Sequence, residues 1–220
     1  MSVLTDPKLQ DQIDRLQALS RGQERALYDY FAKRAGAGDL SWEELDDDAH
    51  AFFADKLVAL DADKAEFCHL LCRAIRARRV VEVGTSYGVS TLYLADAVRA
   101  NGGGTVVATE HEATKAAAAR VNFTEAGLSD LIELREGDLR ETLKTLEGPI
   151  DFVLMDIWTE MARPAMELIT PHLRAGAAVV CDNTTQFRES YQGYFEFIGR
   201  TGFVTRTLPF EGGLELTIKT

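Results

Sequence analysis

From Val80 onward, short and nearly continuous apolar runs recur along the chain, and their interval restricts the fold more than any other feature of the sequence. The runs are RVVEVG, GTVVATE, LIELREG, IDFVLMD and GAAVVCDN, starting near 80, 105, 131, 150 and 177. Successive starts lie about 19 to 27 residues apart, room for a strand plus a crossover helix. Strands with one solvated face alternate polar and apolar residues, whereas these are apolar almost throughout. They suit a parallel sheet covered on both sides. The intervening segments read as helices, one of them opening at Asp138, where DLRE offers a capping box from Asp138 to Glu141. After the fifth run, Phe187, Tyr191, Tyr194, Phe195 and Ile198 recur at helical spacing. The stretch FVTRTLPFEGGLELTIK then gives two extended runs around Glu211-Gly212-Gly213, a hairpin-like antiparallel ending.

Residues 1–79 differ and read as helical. Ile13, Leu16, Leu27, Tyr30 and Phe31 make a partial apolar stripe, and Ser41 to Glu44 (SWEE) form another capping box. Phe67, Leu70, Leu71, Ala74 and Ile75 mark a third helix leading into the first strand, and Ala35 to Leu40 (AGAGDL) is the one flexible joint. The division expected is a helical extension over 1–79 and an α/β core over 80–220.

Composition narrows the function. The chain has 220 residues, enough to bury a substantial core, with 46% hydrophobic and 27% charged residues. No apolar run approaches the roughly 20 residues that cross a bilayer. The start, MSVLTDPKLQDQIDRL, has neither the basic nor the apolar part of a signal peptide. A cytoplasmic protein with no membrane partner is expected. Net charge is 24 − 35 = −11, which argues against nucleic acid, since phosphates must be neutralised by basic patches. The basic run Arg73 to Arg79 falls at a helix end and is expected to cap it. Cys68 and Cys72 flank His69, but Cys68, Leu71, Cys72 and Ile75 share one helical face, so core packing is preferred over a metal or redox role. The aromatic stripe from Phe187 to Ile198 suits either the core or a homodimer interface. A small-molecule partner is favoured.

The stretch VVEVGTSYGVSTLYLA, Val80 to Ala95, runs from a buried strand through Gly84 and Gly88 into a helix. In an open α/β sheet, ligands bind at such carboxyl ends of strands. The spacing is not the G-x-G-x-x-G of a dinucleotide fingerprint, and Glu82 inside the strand would repel pyrophosphate while tolerating a cationic ligand. Glu110 ends the second strand, where an acidic residue accepts hydrogen bonds from ribose hydroxyls, and Asp138 follows the third. Asp138 can cap a helix and border the pocket at once.

On these residues the chain resembles the class I S-adenosylmethionine-dependent methyltransferases, and among them the O-methyltransferases of the catechol and caffeoyl-CoA type. The resemblance covers Val80 to Lys219, and E-x-G-x-x-x-G-x-S at Glu82 to Ser90 is its most specific motif. It implies a Rossmann-like, doubly wound, mostly parallel seven-stranded sheet with a C-terminal antiparallel hairpin. It also implies a cofactor set of Glu82, Gly84, Thr85, Ser86, Gly88, Ser90, Glu110, His111, Asp138, Leu139 and Asp156. The loop around Gly84 and Ser90 would hold the methionine end, Glu110 the ribose, and Asp138 would lie by the adenine.

Asp156 ends the fourth run, and Asp182 and Asn183 end the fifth. Adjacent strands lie about 4.8 Å apart, so these three side chains can converge. Two carboxylates and an amide oxygen suit Mg²⁺ or another hard divalent cation, and like charges this close call for one. The same three positions match the metal ligands of the catechol-type enzymes. A metal-bound hydroxyl ionises more readily and can then attack the sulfonium methyl group. The expected activity is therefore metal-dependent methylation of a hydroxyl on a small aromatic molecule. Asp156 and Thr159 are the candidate catalytic positions. Catechol-type enzymes carry their general-base lysine where this chain has Thr159, which would instead cap the helix starting at Glu160. The metal alone, or Glu160, His111 or His50 as base, or a substrate other than a catechol, could account for that. So could a metal-independent methyltransferase or a non-catalytic cofactor-binding protein. Trp158 is placed to form a substrate wall.

Overall fold

Each of the five apolar runs forms a strand: β1 (Arg79–Val83), β2 (Thr105–Glu110), β3 (Ile132–Glu136), β4 (Ile150–Met155) and β5 (Leu173–Asp182). The ending supplies β6 (Phe203–Leu208) and β7 (Leu214–Lys219). The sheet order is β3-β2-β1-β4-β5-β7-β6. The first five strands are parallel, and β7 pairs antiparallel with both β5 and β6. This is the expected seven-stranded, mostly parallel sheet. The structure is a computed structural model describing residues 2–37, 47–200 and 202–220, without the side chains of Ala35, Ala37, Asp47 and His50. The capping box expected at Ser41 to Glu44 lies outside the described residues, as does half of the joint expected at Ala35 to Leu40; its first three residues, 35–37, continue a helix.

Helices α1 (Pro7–Arg21), α2 (Glu24–Ala37), α3 (Asp47–Phe53) and α4 (Ala62–Ala74) precede β1. They are followed by α5 (Val89–Ala100), α6 (Ala113–Glu125), α7 (Leu139–Thr142), α8 (Thr159–Ile169) and α9 (Gln192–Arg200). Successive strand side chains point to opposite faces, and both faces are apolar here. Val80, Phe152, Leu154, Ala178 and Val180 share one core cluster with Ile13 of α1, Cys68 and Cys72 of α4, and Leu92 of α5. Val81, Val153, Met155, Val179 and Cys181 pack on the other face against Ala165, Met166 and Ile169 of α8 and Tyr194 and Ile198 of α9. Helices α1 and α4 thus bury their apolar sides in the same core as the sheet. Among the described residues, no helix is long and apolar enough to cross a membrane.

Several local expectations change. The apolar face of α4 carries Ala65, Cys68 and Cys72, whereas Leu70 is 53% exposed, so the stripe is rotated from the expected one. All three cysteines are free and buried. The basic run does not cap α4 as a group: Arg73 is in its last turn, while the Arg78 and Arg79 amides donate to Asp151 Oδ2 at 2.8 and 2.9 Å. Of the two homes open to the aromatic stripe on α9, the core claims Tyr191, Tyr194 and Ile198, each 2% exposed or less.

Candidate active site

The chain runs outward from β1 to β3 and returns to place β4 beside β1, so the connection order switches between these two strands. A crevice opens at such a point, outside the carboxyl ends of the strands. Val83 pairs with Met155, which brings Gly84 and Asp156 together. Gly84 has φ +92°, and a Cβ there would sit 1.9 Å from the Asp156 carbonyl oxygen. Gly88 has φ +86°, and its Cβ would fall 2.3 Å from the Phe123 ring. Both close approaches are to the protein's own backbone and core, and Gly84 also borders the cavity described below.

The loop is braced from below and from the side. Glu82 is fully buried and accepts hydrogen bonds from Thr85 Oγ1 at 3.0 Å and from Thr91 Oγ1. Burial pushes its carboxyl up to about 7, against the hydroxyl hydrogen bonds that pull it down. Glu110 accepts from the Ser86 amide at 2.7 Å through one oxygen and from the Glu112 amide at 2.8 Å through the other. Each carboxylate oxygen has two lone pairs, so Glu110 can still accept two hydrogen bonds from a ligand's hydroxyls.

Above this frame lies a cavity of about 620 Å³, the size of a small-molecule site. Of the predicted site residues, Gly84, Thr85, Ser86, Ser90, Glu110, His111, Asp138, Leu139, Asp156, Trp158, Thr159 and Asn183 border it. Glu82, Gly88 and Asp182 do not; they stand behind the wall. The opposite side is apolar and aromatic, with Leu27 and Phe31 of α2, Phe53 of α3 and Phe187. Trp158 meets Phe53 edge-on, with ring centroids 5.2 Å apart.

Asp156 borders the cavity, and among the described residues its carboxylate has no hydrogen-bond or ion-pair partner. Burial pushes its pKa well above the usual carboxylate range, and the Asp182 and Glu82 charges push the same way. Asp182 faces a residue that no sequence argument had placed here. The Lys64 ammonium of α4, 2% exposed, lies 2.9 Å from Asp182 Oδ1 and 2.9 Å from Asp61 Oδ2. Burial pulls Lys64 down, but the two carboxylates outweigh it and leave its pKa raised. The detectable signal was a lysine in register with Cys68 and Cys72 on the apolar face of a helix. Among the described residues, no group of three or more His, Cys, Asp or Glu side chains gathers in a metal-binding cluster. The oxygen set available is Asp156, Asn183 and the inner Asp182.

Two capping expectations are revised. Thr159 is the first residue of α8, whose N-cap is Trp158, so Thr159 lies within the helix and is 8% exposed. Asp138 caps α7 by accepting from the Arg140 amide at 2.8 Å, but Glu141 pairs with Lys144 at 2.6 Å in place of completing the box. His50, one of the alternative bases, has its side chain outside the described residues.

Residues 54–60, also missed from sequence, pass over the cavity and contribute Leu57, Val58, Ala59 and Leu60 to its wall. This strap is tied at both sides. The Leu57 amide donates to Gln23 Oε1 at 2.9 Å and the Ala59 amide to Ser20 Oγ at 3.2 Å. Tyr87 Oη donates to the Asp55 carbonyl and Thr114 Oγ1 to the Ala54 carbonyl, both at 3.1 Å.

A family model described as a methyltransferase domain matches residues 81–184. A catechol O-methyltransferase of Mycobacterium tuberculosis is 39% identical over 127 residues, which span 57% of this chain and 57% of that relative. The crystal structure of cofactor-bound Rv0187 from MTB is 30% identical, with a TM-score of 0.69, covering 77% of this chain and 86% of that one. The O-methyltransferase TomG from Streptomyces achromogenes, in complex with SAM, is 26% identical with a TM-score of 0.68, covering 80% of this chain and 91% of that one. On these matches the chain belongs to the class I S-adenosylmethionine-dependent methyltransferases, and it spans little more than half the length of the curated catechol O-methyltransferases that it matches.

Proposed function

We propose that the protein transfers a methyl group from S-adenosylmethionine to a hydroxyl of a small, aromatic, catechol- or phenol-like molecule, with a divalent cation, Mg²⁺ or a close relative, held by Asp156, Asp182 and Asn183. The observation that carries this reading is the Asp156 carboxylate, which has no partner among the described residues, lies on the cavity wall and has its pKa raised by burial and then by the charges of Asp182 and Glu82. The buried Glu82 and Asp182 and the half-buried Asp156, with Lys64 as the ammonium beside them, favour a surplus of negative charge that a hard cation on oxygen ligands would neutralise. The catechol O-methyltransferase relative and the SAM-bound neighbour support the same chemistry.

In this reading Glu110 receives the ribose hydroxyls, the loop from Gly84 to Ser90 bounds the methionine end, and Asp138 and Leu139 border the adenine. A bound cation would stabilise the oxyanion of a coordinated hydroxyl. Trp158, Phe53 and Phe31 present ring faces and edges to a planar acceptor, and the strap at residues 54–60 excludes water. Methyl transfer from a sulfonium to an oxyanion cancels charge, so orientation and water exclusion by these residues supply much of the catalysis. Thr159 cannot take a proton near neutral pH; proton removal falls to ionisation at the cation or to Glu160 or His111, which also border the cavity. Residues 1–79 act as the cap that selects the acceptor. The acidic balance supports a small molecule, not nucleic acid, as the partner.

The test is methyl transfer from labelled cofactor to a panel of catechols and phenols, with and without Mg²⁺. Transfer should vanish on chelation and return with the metal, and Asp156→Asn should abolish both turnover and any metal-induced rise in melting temperature. A second reading, metal-independent transfer, is favoured by Lys64, whose ammonium already neutralises Asp182. Full activity after exhaustive chelation establishes that reading and rules out the first.

A further inference from the structure

Lys115 has no role in the site as described so far, yet its position is unusual for a lysine. It lies in the first turn of α6, is only 9% exposed, and borders the cavity beside Glu110, His111 and Glu112. Among the described residues, its ammonium has no hydrogen-bond or ion-pair partner. The ammonium is not sealed in the interior, and the residue lines the cavity. Burial pulls its pKa below the usual lysine value, while Glu110, Glu112 and Asp55 oppose that shift and Lys56 adds to it.

An ammonium offers three hydrogen-bond donors, and one that is largely buried with no acceptor from the protein is costly. A ligand is therefore the natural source of acceptors at this point. Its chemistry follows from the surroundings. Three carboxylates (Glu110, Glu112 and Asp55) face two ammoniums (Lys115 and Lys56), so the corner is already net negative and gains little from a second anion. A neutral group rich in acceptors fits better. Glu110 alongside supplies acceptors only, so the two side chains together match a group that both donates and accepts, such as a ribose joined to a purine.

We infer that Lys115 is a cofactor-binding residue whose ammonium donates to oxygen or ring-nitrogen acceptors of the adenosine half of the cofactor, opposite Glu110. This rests on the preceding reading, in which the Glu110 side of the cavity takes the adenosine.

The experiment is calorimetric binding of S-adenosylhomocysteine and of 5′-methylthioadenosine, which keeps the adenosine and lacks the amino acid, to the full chain and to Lys115→Met, Lys115→Gln and Lys115→Arg. Both ligands should weaken by about tenfold, and by the same factor, in the Met and Gln variants. Lys115→Arg should retain most of the affinity, and kcat at saturating cofactor and the acceptor KM should hardly move. Lys8→Met, an exposed site on α1 that does not line the cavity, is the control. Unchanged affinities in variants that melt like the parent overturn the assignment, as does a change confined to the acceptor KM. A parent chain that binds neither ligand instead overturns the cofactor reading on which the assignment rests.

Discussion

Glu82 shows how a single side chain can be part of the site's construction without touching the cavity. It is fully buried beneath the loop, bonded to Thr85 and Thr91, with one oxygen left without a hydrogen-bond partner and its carboxyl raised to about 7. A carboxyl raised on folding favours the folded state in its protonated form. That contribution is complete below about pH 4.5, the ordinary value, and is lost as the pH climbs through about 7. Glu82→Gln removes the ionisation and keeps an acceptor for the two threonines. Denaturant unfolding of both proteins at pH 5 and pH 8 should show the parent losing about 2–3 kcal/mol relative to the variant across that interval. Parallel pH profiles would show that the carboxyl does not titrate in this range.

At the scale of elements, the segment joining α3 to α4 is held by side chains from three places: α1 and the turn after it, the glycine loop and the start of α6. Ser20 and Gln23 fix the amides of Ala59 and Leu57, and Tyr87 and Thr114 fix carbonyls on the same strap. The strap has no secondary structure over residues 54–60, so these bonds replace the ladder that a strand or helix would provide. Gln23→Ala leaves the Leu57 amide without its acceptor and should cost about 1 kcal/mol. Hydrogen exchange is the sensitive readout: protection at Leu57 and Ala59 should fall while protection in β1 and β4 stays as it was. Equal loss across the sheet would mean that the strap opens only with global unfolding.

At the scale of the whole molecule, Lys64 joins the N-terminal helices to the carboxyl end of the sheet. The Lys64 and Asp182 side chains are 2% and 6% exposed, so each is the other's main compensation for lost hydration. Breaking such a pair from one side strands a buried charge, at a cost of about 3–5 kcal/mol. Lys64→Met should lower the unfolding free energy by that amount, and Lys64→Met combined with Asp182→Asn should recover part of the loss, because neither charge then remains. Chemical denaturation in a double-mutant cycle measures this, and additive effects would remove the pair as a link between the two regions. The burial of Ile13, Cys68 and Cys72 against β4 and β5 points to the same coupling through apolar contact.

The strand runs, their parallel order and the antiparallel ending were legible in the sequence because period and length are local properties: a strand buried on both faces must be apolar at every position, wherever it lies. The glycine loop and the carboxylates at strand ends were legible for the same reason, since each follows its strand directly. What lay beyond the sequence were meetings between distant segments. Gly84 and Gly88 are required by the Asp156 carbonyl and the Phe123 ring, which only the packed sheet and helices bring close. Leu70 looked like a core residue, but the orientation of α4 on the sheet turned it outward and turned Lys64 in. The partner of Asp182 comes from 118 positions earlier in the chain, and no pattern confined to a single helix or strand encodes which ammonium will reach a given carboxylate. Local periodicity determined the elements and the end of the sheet at which the site lies; the tertiary fold alone decided which charges face one another there, because burial and proximity are properties of the folded chain.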